Sequence, residues 1–137
     1  MRITEETAAL SHARRLQVGC VIVKDGRTLS FGYNGTPSGW DNCCEDTFTN
    51  SCNDIPTVMT KTKPEVLHAE SNMLMKLCQS SESSKGATVF ITHSPCIECA
   101  KLLFQSGVSS VVYKQAYRSS DGIDFLIKCG VEVIQYT

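Results

Sequence analysis

Ala87-Thr88-Val89-Phe90-Ile91-Thr92-His93-Ser94-Pro95-Cys96-Ile97-Glu98-Cys99 opens the part of the chain whose pattern decides the fold. Its first six residues form a short run rich in apolar and β-branched side chains, which predicts a strand over 87–92. Ser94-Pro95, followed by Leu102, Leu103, Phe104 and Gly107, predicts a helix with a cap, a proline at its first position and a glycine after its end. Val108 to Tyr113 reads as the next strand, Asp121 to Cys129 as a helix closed by Gly130, and Val131 to Tyr136 as a final strand. Strand and helix in alternation predict an α/β domain, a sheet with helices on both faces.

Upstream, Thr4-Glu5-Glu6 resembles a capped helix start, and Ala9, Leu10 and Ala13 extend that helix to about Arg14. Val18 to Val23 is an apolar strand. Lys24-Asp25-Gly26-Arg27 carries Asp-Gly, the signal of a tight hairpin, and Leu29 to Tyr33 returns as its partner. Residues 34 to about 63 are rich in Gly, Asn, Asp, Thr and Pro and read as one long loop. A loop of that length inside a small domain points to function. Val66 to Ser80 places Ala69, Met73 and Leu77 at helical spacing.

The 137 residues fit a single domain over 1–137, with no linker or internal repeat, and an apolar fraction of 42% suffices for a core. A net charge of -1 provides no basic field for a polynucleotide, so a small-molecule substrate is expected. No apolar run reaches the ~18 residues of a membrane span, and the charged N-terminus does not read as a secretory signal. Both observations point to the cytoplasm (the host cytoplasm for a phage-encoded chain). In that reducing setting, eight cysteines argue for metal or buried thiols rather than disulfides. Cys20 and Cys78 fall on apolar elements and read as core thiols.

Two short segments carry chemistry: His68-Ala69-Glu70 and Pro95-Cys96-Ile97-Glu98-Cys99. Cysteines three apart at a helix start present both sulfurs on one side, where the helix dipole favours the thiolates that a metal requires. One imidazole and two thiolates make a three-ligand zinc site with an open fourth position, the form that suits catalysis. His68 and Glu70 would diverge in mid-helix, so their joint use requires a place in the first helical turn. A CxxC alone serves structural or redox sites equally well. Its pairing with HxE is the signature of zinc deaminases, in which the glutamate moves protons and does not ligate.

The chain resembles the deoxycytidylate (dCMP) deaminase family, especially its phage members. The likeness runs through Gln17-Val18-Gly19-Cys20-Val21-Ile22-Val23, Gly32-Tyr33-Asn34-Gly35-Thr36-Pro37-Ser38-Gly39, His68-Ala69-Glu70-Ser71-Asn72 and Ser94-Pro95-Cys96-Ile97-Glu98-Cys99-Ala100-Lys101. The resemblance implies a three-layer α/β/α sandwich around a mixed five-stranded sheet. It implies hydrolysis of dCMP to dUMP, which feeds thymidylate synthesis, and a homo-oligomer, commonly a hexamer. It further implies dCTP and dTTP as effectors, with Mg2+ accompanying the triphosphate, and leaves dCTP open as a substrate. Its catalytic residue would be Glu70, with His68, Cys96 and Cys99 on zinc.

Among substrate contacts the resemblance places Asn34, Ala69 and Tyr117 beside the nucleotide, and Arg14 and Arg15 near its phosphate. Asn34-Gly35 also reads as an ordinary turn, and both arginines as surface charges. The helix predicted from Asp121, with Arg118 at its entrance, offers its N-terminus to the phosphate. A second, structural zinc, found in some phage relatives, is not expected. The long loop holds Cys43, Cys44 and Cys52 but no histidine. Trp40 reads as a lid, a subunit contact or packing. Competing readings are a deaminase of the same fold acting on tRNA adenosine, guanine or a pterin-like ring, and a zinc-binding module without turnover.

Overall fold

A computed structural model describes residues 1–52 and 55–137, with Ser51 and Cys52 by backbone alone. Five strands form the central sheet: β1 (Gly19–Lys24), β2 (Arg27–Tyr33), β5 (Thr88–His93), β6 (Ser110–Gln115) and β7 (Glu132–Gln135). Their spatial order is β2-β1-β5-β6-β7. β1 runs antiparallel to both β2 and β5, whereas β5, β6 and β7 are mutually parallel. The sheet is therefore mixed, as the resemblance implied. Asp25 (φ 50°) and Gly26 (φ 72°) make the two-residue turn between β1 and β2, the primed geometry for which Asp-Gly is suited.

The helices are α1 (Arg2–Ala8), α2 (Ala69–Cys78), α3 (Ile97–Gln105) and α4 (Asp121–Lys128). Their distribution over the sheet is uneven. Cys20, Ile22, Val89, Ile91 and Val111 alternate along their strands and meet Met73, Leu77, Leu103 and Leu126 in one buried cluster. α2, α3 and α4 thus share one face. Replacing a fully buried member such as Leu103 by alanine would cost ~2–5 kcal/mol. Among the described helices α1 is the one on the opposite face, where the backbone of its Thr4 and Ala8 rests on Gly19.

Three expectations about element limits are corrected. α1 ends at Ala8; Thr4 is a buried residue inside it rather than its cap, and Leu10 is exposed. The chain leaves the helix there because Ser11 turns away, its Oγ donating to the Asn34 carbonyl and accepting from the Ala13 N–H. The cap of α3 is Cys96, not Ser94, so Pro95 lies one residue outside the helix. Cys78 ends α2 on its solvent side and is exposed, whereas Cys20 is buried as expected.

The long loop contains structure of its own: a hairpin of β3 (Glu45–Cys52) and β4 (Ile55–Thr62), paired from Glu45↔Thr62 to Cys52↔Ile55. Its threonine-rich strands alternate weakly in polarity, which is why the composition read as loop. Ala13, Cys44 and Val66 form a small second core beneath it. Among the described residues no helix is long and apolar enough to cross a membrane.

Candidate active site

His68 is the N-cap of α2 and Glu70 its second helical residue; Cys96 is the N-cap of α3 and Cys99 its third. Two helix N-termini therefore converge, and the first-turn placement inferred for the HxE pair is what the fold adopts. The chain before His68 is held by an isolated bridge in which Gly35 and Leu67 exchange both N–H···O bonds, at 3.1 and 2.8 Å. Inside α2, Asn72 Nδ2 donates to the Tyr33 carbonyl at 2.8 Å. Tyr33 and Gly35 of the glycine-rich segment thus orient the helix that carries His68 and Glu70.

His68 Nδ1 lies 3.6 Å from Cys96 Sγ and 3.4 Å from Cys99 Sγ. Bonds of about 2.0 Å to nitrogen and 2.3 Å to sulfur at tetrahedral angles require N···S separations of ~3.5 Å. The three donors accordingly fit zinc in chemistry and in spacing, and they are the metal-capable cluster found among the described residues. A hydrogen bond from Cys99 and another with His68 hold the Cys96 thiol down at about 3, while the same contact with Cys96, and burial, push Cys99 up. The interaction with Cys96 raises His68. Without a metal the trio keeps one thiolate; zinc would take both.

Glu70 is 4% exposed, and burial pushes its carboxyl up to about 7 despite the opposing influence of His68. A carboxyl poised near neutrality can take and return a proton.

A cavity of about 510 Å³, within the usual range for small-ligand sites, joins these residues to the rest of the predicted set. His68, Ala69, Glu70 and Cys96 line it with Asn34, Arg15 and Tyr117. Arg14 does not line it; its backbone N–H donates to Glu45. The amide of Asn34 is engaged at both ends, accepting from the Val18 N–H and donating to the Leu16 carbonyl at 2.8 Å each. It holds the irregular strap 11–18 that forms one wall.

The α4 N-terminus is not part of the lining. Its own Asp121 and Asp124 already face it. Tyr117 is placed by its N–H, which donates to Ser94 Oγ at 2.7 Å.

Several lining residues had no sequence signal: Glu45, Thr62, His93 and Gln115, while Ser94 was read only as part of a helix cap. Only pairing of the hairpin and of β6 brings them to the cavity. Arg118, noted for its place at a helix entrance, faces it alongside Arg15. Trp40 is 59% exposed and stands apart from the cavity. Cys43 is exposed and Cys44 buried; neither joins a metal cluster among the described residues, and the Cys52 side chain lies outside them.

The family model of the cytidine and deoxycytidylate deaminase zinc-binding region matches residues 1–115. The chain is 43% identical to the dCMP deaminase of cyanophage S-TIM5, whose crystal structure in complex with dCMP and dUMP superposes with a TM-score of 0.86, covering 98% of this chain and 92% of that one. The deoxycytidylate deaminase of Enterobacteria phage T4 is 30% identical, over 85% of this chain and 77% of that protein. That of Saccharomyces cerevisiae is 33% identical over the whole of this chain, which spans 43% of the yeast protein.

Proposed function

The chain belongs to the zinc-binding cytidine and deoxycytidylate deaminase family, and on that premise we propose that it hydrolyses dCMP to dUMP and ammonia. The observation that carries the reading is that His68 and Cys96 of the metal-capable cluster and the buried Glu70 together line one nucleotide-sized cavity, with Cys99 buried behind them. Zinc held by those three residues would act as the Lewis acid that activates water.

Glu70 accepts the proton of the attacking water and delivers it to N3 of the pyrimidine as C4 becomes tetrahedral. The same carboxyl then takes the proton of the new C4 hydroxyl and passes it to the departing amine, so the C4 carbonyl forms as the C–N bond breaks and water and dCMP give dUMP and ammonia. Burial keeps Glu70 near neutral pH, where both transfers are feasible. Ala69, between the two functional residues, lies fully buried against the ring end of the cavity in this reading. Arg15, with Arg118, receives the 5′-phosphate, and Tyr117 flanks the nucleotide. Asn34 acts through the strap it holds.

Residues 1–137 work as one catalytic domain in this reading. The finer features rest on the family resemblance: a homo-oligomer, a hexamer, with dCTP and dTTP as effectors and a cytoplasmic site of action. Incubating the purified protein with dCMP, dCTP, deoxycytidine and guanine and following ammonia release tests the reading. dCMP should be turned over with the highest kcat/KM. Preferential release from guanine, or none from any substrate at full zinc loading, would reject it.

A further inference from the structure

Arg15 sits on a strap without regular secondary structure, and the β3–β4 hairpin holds it twice. Glu45 Oε1 accepts from the backbone N–H groups of Arg14 and Arg15, at 2.9 and 3.2 Å. The guanidinium of Arg15 donates from Nη1 to Thr62 Oγ1 at 3.2 Å. Glu45 and Thr62 are opposite partners in the register and close the base of the hairpin, so they lie side by side on one of its faces. Both line the same cavity as Arg15 and the metal cluster.

The base is itself anchored: the Lys63 N–H donates to the Cys44 carbonyl at 2.9 Å, and Cys44 packs with Ala13 of the strap and Val66. The hairpin thus joins the main body at the point where the strap delivers Arg15.

We propose that Glu45 and Thr62 are positioning residues for the 5′-phosphate, fixing the backbone and the guanidinium of Arg15 so that the charge meets the nucleotide pre-oriented. The proposal rests on the phosphate role given to Arg15 above. An exposed arginine samples many rotamers, and a fork held at one end loses less freedom on binding than a free one. Glu45 is suited to this task because its carboxylate is committed to two N–H donors. Its acceptance from two successive amides sets the direction in which the Arg15 side chain leaves the strap.

The preferred test is Thr62→Val, an exposed, nearly isosteric change that removes one acceptor and leaves the strand intact. KM for dCMP should rise about fivefold, the effect of one lost hydrogen bond, while KM for deoxycytidine and kcat for both stay within about twofold. Thr62→Ser should restore the wild-type KM. In an Arg15→Ala background, Thr62→Val should add nothing further, because the group it orients is gone. Glu45→Ala should act like Thr62→Val, and Glu45→Gln, which retains the accepting oxygen, should not.

If Arg15→Ala raises KM for dCMP selectively while Thr62→Val leaves it unchanged, the positioning role is overturned and the phosphate role of Arg15 stands. If Arg15→Ala fails to separate dCMP from deoxycytidine, the phosphate role falls and takes this proposal with it. Equal effects of Thr62→Val on nucleotide and nucleoside would likewise overturn it, leaving Thr62 as a residue of general structure.

Discussion

Gly32 lies directly beneath Ala69: a methyl group built on Gly32 would collide with the Ala69 carbonyl and come within 2.5 Å of the Met73 nitrogen. These are backbone atoms of α2, which no rotamer change can move. The absence of a side chain on β2 therefore sets how closely the helix bearing His68 and Glu70 approaches the sheet.

Gly32→Ala should accordingly displace the start of α2. Overpacking of this kind costs ~1–3 kcal/mol, which lowers Tm by several degrees in a domain of this size. Because the displaced turn carries a metal ligand, zinc retention during dialysis should fall as well. Calorimetry and metal analysis of Gly32→Ala, beside Gly26→Ala, separate this contact from a general glycine effect. No atom lies within 4 Å of a Cβ at Gly26, where only the positive φ opposes substitution. Unchanged zinc retention in Gly32→Ala would contradict the argument.

The fold was legible wherever periodicity had a buried face to report. The second half of the chain was read element by element because Val89, Ile91, Val111, Leu103 and Leu126 all point into one core. The candidate metal cluster of His68, Cys96 and Cys99 was legible because an HxE and a CxxC at those spacings have few other joint uses. The β3–β4 hairpin was not: β4 is exposed along its length, as are residues 46–50 of β3, and both lack the alternation that burial imposes. Nor was the use of Asn34, whose type fits a turn, a sugar contact and a strap-holder equally. Glu45 and Thr62 reach the site only through a pairing that no local pattern encodes.

Glu70→Gln should keep the zinc and lose the reaction. The amide preserves the shape of the buried side chain but neither takes nor returns a proton. Removal of such a group lowers kcat by ~10²–10⁴-fold. One zinc per chain by elemental analysis, with turnover reduced to that extent, is the expected pair of results. Turnover close to wild type would remove Glu70 from the proton path. By contrast, Cys96→Ala or Cys99→Ala should lose both metal and activity, while Cys43→Ser should keep both.

Burial of Glu70 also predicts how the metal-free protein responds to pH. Its folded-state value, about 7, lies above the ordinary carboxylate value of 4.5 that the unfolded chain recovers. Between these values the folded state holds more protons than the unfolded state, so stability falls as pH rises through that window and levels off above it. The loss attributable to this group is on the order of 1–3 kcal/mol. Denaturant unfolding of chelator-treated protein at pH 5 and pH 8 should show it, and Glu70→Gln should flatten the dependence. If Glu70→Gln keeps the full slope, other groups set it.

Arg118 lines the cavity from the segment after β6 and Arg15 from the strap before β1, so two arginines from distant parts of the chain border one cavity. A doubly charged 5′-phosphate offers enough acceptor oxygens for both, and each charge-assisted contact contributes ~1.5–3 kcal/mol. Arg118→Ala should raise KM for dCMP ten-fold or more and that for deoxycytidine much less. Arg118→Lys should recover part of the loss, since an ammonium supplies the charge but not the planar fork. The advantage of dCMP over deoxycytidine should also shrink as salt is raised, because this cavity opens to solvent and its charges are screened. An equal change for nucleotide and nucleoside in Arg118→Ala would place this arginine on the rim, without a phosphate to hold.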